Sequence, residues 1–159
     1  MTAGLTLHAL TSFMVACAPM VSPETGVKLV RFESGGNPYA IGVNGPYVVR
    51  PQPSTREQAV ATAQKLLAMV DVRSIDMGLA MINSSNLSWL GISLEQAFDP
   101  CTNLSAMQKV LLPAYERWAS VKGPGDHALQ AALSEYNTGH PTRGLRNGYV
   151  NRVYLQAVK

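Results

Sequence analysis

The strongest constraint on this chain is the placement of residues that stop a helix. Glycine and proline cluster at Pro19, at Gly35-Gly36-Asn37-Pro38, at Gly123-Pro124-Gly125 and at Gly139-His140-Pro141. Glycine has no steric bias toward helical backbone, and proline lacks the N–H that a helix interior needs. The apolar stretches between these clusters can therefore form only a row of mostly short helices. The first is expected from about Leu5 to Ala18, stopping before Pro19. The second starts clearly, with Ser22 as N-cap and Pro23 at the first helical position, and ends in Ser34–Pro38.

Between residues 39 and 50 the pattern changes. Tyr39–Val43 and Tyr47–Val49 are β-rich runs around Asn44-Gly45, which predicts a small or irregular hairpin weakened by Pro46. Ser54-Thr55-Arg56-Glu57 reads as a capping box opening a helix with Val60, Leu67 and Val70 on one side. Residues 71–98 are broken by Gly78, Asn83, Asn86 and Gly91 and are expected to hold only short helical turns. Asp99-Pro100 opens a long core helix along Leu104, Met107, Leu111, Ala114/Tyr115 and Trp118, kinked at Pro113. A helix at Asp126–Tyr136 and a terminal one at Gly148–Val158 complete the reading. The sum is a mainly α fold of about six to eight helices with one small β element. At 159 residues it is expected to form one domain over residues 1–159, with 1–21 as an N-terminal helix packed on it.

Composition narrows the function classes. Charged residues are only 14%, against about 25% in an average soluble domain, so the surface must be rich in neutral polar groups. The formal net charge of +3 is too mild and scattered to argue for nucleic acid. Arg143, Arg146 and Arg152 form the only basic cluster, which either meets an acidic ligand or partner or is a plain solvated face. His8, His127 and His140 have no metal-ligand spacing, and two cysteines cannot build a four-ligand zinc site, so neither metal nor cofactor is expected. The segment Leu5–Val21 is too polar to span a bilayer, and no Lys or Arg before Lys28 marks it as a secretory signal.

Among the carboxylates, Glu33 stands out. It follows Leu29 by four residues and Val30 by three, so a helix places it on their apolar stripe. It also lies in the last turn, facing the negative end of the helix dipole. Partial desolvation and the dipole both favour the neutral acid, the form a general acid for glycosidic cleavage needs. A solvated helix-end glutamate would satisfy the same spacing.

The surrounding words carry a resemblance. Glu33-Ser34-Gly35-Gly36-Asn37-Pro38, then Gly78-Leu79-Ala80-Met81-Ile82-Asn83, then Phe98-Asp99-Pro100-Cys101-Thr102-Asn103-Leu104 occur in that order. Ala132-Leu133-Ser134-Glu135-Tyr136-Asn137-Thr138-Gly139 and Tyr149-Val150-Asn151-Arg152-Val153 follow. Together, over about residues 22–158, they resemble the motifs of the soluble lytic transglycosylases, which share the goose-type lysozyme fold. The opening around Cys17-Ala18-Pro19 and Ser22-Pro23-Glu24-Thr25 looks most like the branch serving type IV secretion and conjugation machines.

The resemblance implies an α+β lysozyme-like fold and a periplasmic, monomeric enzyme acting on peptidoglycan glycan strands, with secretion or conjugation proteins as further partners. Glu33 would protonate the glycosidic oxygen between N-acetylmuramic acid and N-acetylglucosamine, then deprotonate the muramic C6 hydroxyl as it closes a 1,6-anhydro ring. The muramic N-acetyl group would assist, so that one carboxylate suffices. No spacing sets Asp76, Glu95, Asp126 or Glu135 opposite Glu33. By the same analogy Ser34 orients Glu33, Tyr136 brings its hydroxyl to the Glu33 carboxyl, and Gly78 with the backbone of Ala80, Met81 and Ile82 lines the sugar groove. Asn83 and Asn137 either bind sugar or cap helices. At Met81 the family usually carries Gln, so the groove loses an amide there and weaker or altered binding is expected. Cys17 and Cys101 either bridge, fastening the N-terminal helix, or remain two buried thiols. A goose-type lysozyme-like hydrolase and a non-catalytic wall-binding assembly protein are the competing readings.

Overall fold

The computed structural model describes residues 4–158. Helix α1 (Leu7–Cys17) starts later than the apolar run because the Thr6 hydroxyl accepts the Ala9 N–H and caps it. Helix α2 (Pro23–Ser34) has Pro23 at its first turn, with Ser22 at the N-cap position but making no side-chain cap bond. It ends where Gly35 turns left-handed (φ 62°) and returns its N–H to Arg31. That conformation strains any residue with a Cβ, so the glycine fixes the helix end two residues past Glu33.

The β element differs from the expected hairpin. Strand β1 (Ile41–Asn44) pairs antiparallel with β2 (Ser74–Met77), which pairs in turn with β3 (Ile82–Asn83). No strand forms at Tyr47–Val49. The Gln52 side chain takes that place: its Oε1 accepts from Ile41 N and its Nε2 donates to Ile41 O and Val49 O. One amide thus satisfies the free edge of β1 where Pro46 interrupts the returning strand.

Helix α3 (Arg56–Leu67) fills the connection between β1 and β2. Its cap sits one residue later than expected, on Thr55 with Gln58, while Gln58 Oε1 accepts from Ser54 N. The buried face moves accordingly to Ala59, Ala63 and Leu66, leaving Leu67 and Val70 exposed. Alanine's small side chain lets this face lie close on the sheet, which an apolar-pattern count undervalues.

Residues 71–98, expected to hold only helical turns, contain β2 and β3, a 3₁₀ turn at Ser84–Asn86, the single-turn helix α4 (Leu87–Leu90) and a second 3₁₀ turn at Gln96–Phe98. Helix α5 (Pro100–Lys122) starts under an Asp99 cap, with Asp99 Oδ2 accepting from Thr102 N at 2.9 Å. It buries Leu104, Met107, Leu111 and Ala114, and runs on through Pro113, which lies on its exposed side. Helix α6 (Asp126–Thr138) packs along α5, followed by α7 (Arg143–Arg146) and α8 (Tyr149–Tyr154). The Gly/Pro-rich turn therefore contains an extra helical turn, and the terminal helix is shorter than expected.

Two apolar cores result. The larger joins α1, α2, α5, α6 and α8 through Leu10, Met14, Leu29, Met107, Leu133 and Val150. The smaller holds the sheet against α3 through Ile41, Ala63, Ile75, Met77 and Phe98. Each fully buried Leu, Ile, Val, Met or Phe side chain among these stabilises the fold by about 1.5–3 kcal/mol. A disulfide between Cys17 and Cys101 ties the end of α1 to the first turn of α5.

Candidate active site

The two cores meet at the loop from Met77 to Ile82, and a buried amide sets its path. Asn103, on α5, is 0% exposed and makes three bonds. Its Nδ2 donates to Met77 O and Ala97 O, both at 2.8 Å, and its Oδ1 accepts from Ala80 N at 2.9 Å. Gly78 packs against this amide with φ 76°, and a Cβ there would stand 2.3 Å from Asn103 Nδ2. Glycine is required by both conformation and space. Gly78 and Ala80 therefore sit behind the groove, holding its wall, where the sequence reading had them lining it. Only Met81 and Ile82 of that stretch reach the cleft itself.

The cleft encloses about 460 Å³. Its sheet side presents Asn44, Asp76, Met81 and Asn83, its α4 side Ser85 and Asn86, and its α6 side Glu135, Tyr136 and Asn137. Asp76 Oδ1 accepts from Asn83 Nδ2 at 2.8 Å and Oδ2 from Asn44 Nδ2 at 3.1 Å. Ser74 Oγ accepts from both amides as well. Asn83 Oδ1 in turn accepts from Ser85 N and Oγ, so the residue caps the 3₁₀ turn and lines the cleft at once. Asn137 lies inside α6, which closes on Gly139, and its Oδ1 accepts from Asn147. Met81 adopts φ 51°, an uncommon conformation for a residue with a Cβ, with its Cε beside Gly42.

Glu33 is half-buried and sits behind the cleft lining, within electrostatic reach of Asp76 and Tyr136, which line it. Its Oε1 accepts the Tyr149 hydroxyl at 2.6 Å. Burial pushes its carboxyl up from the ordinary 4.5 to about 7; the Tyr149 hydrogen bond works against that rise, and the nearby Asp76 carboxylate adds to it. The acid thus keeps its proton to near neutrality. Tyr149 is itself 2% exposed and set edge-on to Phe32, with ring centroids 5.2 Å apart. Its phenol is held far above its usual range by burial and then by Glu33.

The tyrosine bonded to Glu33 is therefore Tyr149 in place of Tyr136. Tyr136 donates to Ala80 O at 2.6 Å; burial first, and then the nearby Glu33, raise its phenol well above its ordinary range. The Ser34 hydroxyl likewise turns away from the acid. It donates to Leu79 O at 2.7 Å and to Val30 O, and accepts from Gly36 N, fastening the end of α2 to the cleft wall. Asp76, which sequence spacing did not set opposite Glu33, faces the same cleft. A readable signal for it existed in the alternation of buried Ile75 and Met77 around it, the mark of a strand. Tyr149 opens the Tyr149–Val153 motif, and only the approach of α8 to α2 reveals its contact. Among the described residues no group of three or more His, Cys, Asp or Glu side chains is placed to hold a metal ion.

A helical core, a three-stranded sheet and a half-buried glutamic acid beside an amide-rich cleft define a lysozyme-like α+β class. Within it, the chain belongs to the transglycosylase SLT domain family, whose pattern matches residues 11–152. It is similar to the type IV secretion system protein virB1 of Brucella abortus biovar 1 (strain 9-941), at 44% identity over 89% of this chain and 59% of the relative. It is also similar to protein virB1 of Agrobacterium fabrum (strain C58), at 36% identity over 98% of this chain and 62% of the relative. Protein virB1 of Rhizobium radiobacter is 34% identical over 89% of this chain and 57% of the relative. The chain thus spans about three fifths of the length of these relatives. No solved structure matches it.

Proposed function

We propose that the chain is a peptidoglycan lytic transglycosylase that opens the cell wall locally for a type IV secretion or conjugation apparatus. The observation that carries this reading is the Glu33 carboxyl, protonated to about neutral pH by burial and fixed by Tyr149 beside a cleft lined with side-chain amides. Such a group can donate a proton to the oxygen of a β-1,4 bond between N-acetylmuramic acid and N-acetylglucosamine. As the proton is delivered, the bond from muramic C1 to that oxygen breaks, N-acetylglucosamine leaves with the proton as its 4-hydroxyl, and Glu33 is left a carboxylate. That carboxylate then takes the proton of the muramic C6 hydroxyl, whose oxygen bonds to C1 and closes the 1,6-anhydro ring. The cycle consumes no water and returns Glu33 to its acid form. The apparatus and a periplasmic site of action rest on the virB1 relatives, one of which carries type IV secretion in its name. No helix among the described residues is long and apolar enough to cross a membrane.

Of the two carboxylates lining the cleft, Glu135 is held by Arg117, so Asp76 gives the hydrolytic alternative its specific support. Both of its oxygens are engaged by Asn83 and Asn44, which favours a holding role over a nucleophilic one. Mass spectrometry of digested sacculi separates the two. Anhydromuramyl ends are expected, and reducing ends would establish hydrolysis. Sacculi left intact by the protein would reject both and leave the wall-binding reading.

A further inference from the structure

The cleft does not end at Tyr136. Val110, Glu135 and Tyr136 also wall a second hollow of about 300 Å³, completed by Trp89, Pro113 and Arg117. The shared wall sets the two hollows side by side between the sheet and the middle of α5.

Trp89 is the most exposed aromatic side chain described, at 59%. Exposed, it is nonetheless fixed. Its indole N–H donates to Asn86 Oδ1 at 2.9 Å, and Asn86 lines the first hollow. The helix carrying it is anchored by buried Leu90 and by Leu87, which packs on both cores. One short segment thus offers an amide to the first hollow and a set aromatic face to the second. The polar side of the second hollow is the Arg117–Glu135 ion pair. A flat apolar face with a few directed polar groups is the arrangement that holds a pyranose ring, whose axial C–H bonds stack while its hydroxyl and acetamido groups hydrogen-bond. An acidic stem peptide would look for unneutralised cations. Arg117 is already paired with Glu135, which leaves Lys109 as the unpaired cation there among the described residues.

We infer that Trp89 is the stacking platform of a distal subsite for an N-acetylhexosamine ring of the glycan strand, adjoining the Glu33 cleft. The inference rests on the reading of that cleft as glycan-cleaving, and the test separates the two. Wild type, Trp89→Ala and Trp89→Phe are compared on peptide-free glycan strands of graded length and on strands keeping their stem peptides. Indole fluorescence is read alongside in the Glu33→Gln background, with and without Trp89→Phe, leaving Trp118 as the constant emitter.

The expected result is a loss in kcat/KM for Trp89→Ala that grows with strand length to about tenfold, the worth of one aromatic contact. Trp89→Phe should recover most of it, and peptide-free strands should perturb the Trp89 emission. A loss equal at every length, or none, overturns the subsite, as does a loss confined to strands bearing peptides. If wild type cleaves nothing while peptide-free strands still perturb Trp89, the subsite stands and the transglycosylase reading falls. If strands neither are cleaved nor perturb Trp89, both fall.

Discussion

Replacing Glu33 with Gln should make the protein more stable, by an amount that depends on pH in a defined way. A carboxyl raised from 4.5 to about 7 in the folded chain binds its proton more tightly there than in the unfolded chain. Below pH 4.5 both states hold the proton and the group is neutral toward stability. Between 4.5 and 7 the unfolded chain ionises first, so stability falls as pH rises; above 7 both are ionised and the full penalty is present. At about 1.4 kcal/mol for each tenfold difference, that penalty is about 3 kcal/mol. Glutamine never ionises, and its carbonyl oxygen can still accept the Tyr149 hydroxyl. Glu33→Gln and wild type should therefore unfold together near pH 4. By pH 8 the variant should lead by about 3 kcal/mol, or about 6–12 °C in Tm for a chain of this size. Urea or thermal melts across that range measure it. Curves that stay parallel from pH 4 to pH 8 would refute the claim that burial holds this proton.

The same raised pKa predicts that bond cleavage declines as pH passes through about 7, when Glu33 loses its proton, and a pH–rate profile on sacculi checks the midpoint. Tyr149→Phe removes the hydrogen bond that favours the ionised form, so that midpoint should move upward while kcat falls; an unmoved midpoint would show that Tyr149 does not tune the acid. Asn103→Ala strands Met77 O, Ala97 O and Ala80 N in the interior and should cost about 3–5 kcal/mol in a urea titration, whereas a loss below 1 kcal/mol would mean the loop has other support. Reducing the Cys17–Cys101 bridge, whose ends are 84 residues apart in sequence, should lower stability by roughly 4–5 kcal/mol, read as the difference between melts with and without reductant.

What could be read from the sequence was whatever local chemistry decides. The helix stop after Glu33 follows from Gly35, and the start of α5 from Asp99 and Pro100, because caps and breaks act within a few residues. Glu33 itself was legible because its neighbours Leu29 and Val30 fix the stripe it shares. The misplaced features depend on partners far along the chain. Asn44-Gly45 signals a turn, yet the strand that pairs with β1 lies beyond α3, and Gln52 occupies the expected partner's place. The Glu33–Tyr149 bond spans 116 positions. Tyr136 and Tyr149 are chemically interchangeable candidates for that role, and only the packing of α8 against α2 selects between them.

The long excursion between β1 and β2 has a kinetic consequence. Asn44 meets Ser74 and Asp76 across separations of 30 and 32 residues, while α5 and α6 are neighbours in the chain. Closing so large a loop is entropically slow, and contacts between sequence neighbours form sooner. A refolding chain should thus recover its helical circular dichroism before Asn44 and Asp76 come together, so the amide-lined wall of the cleft closes after the helices have formed.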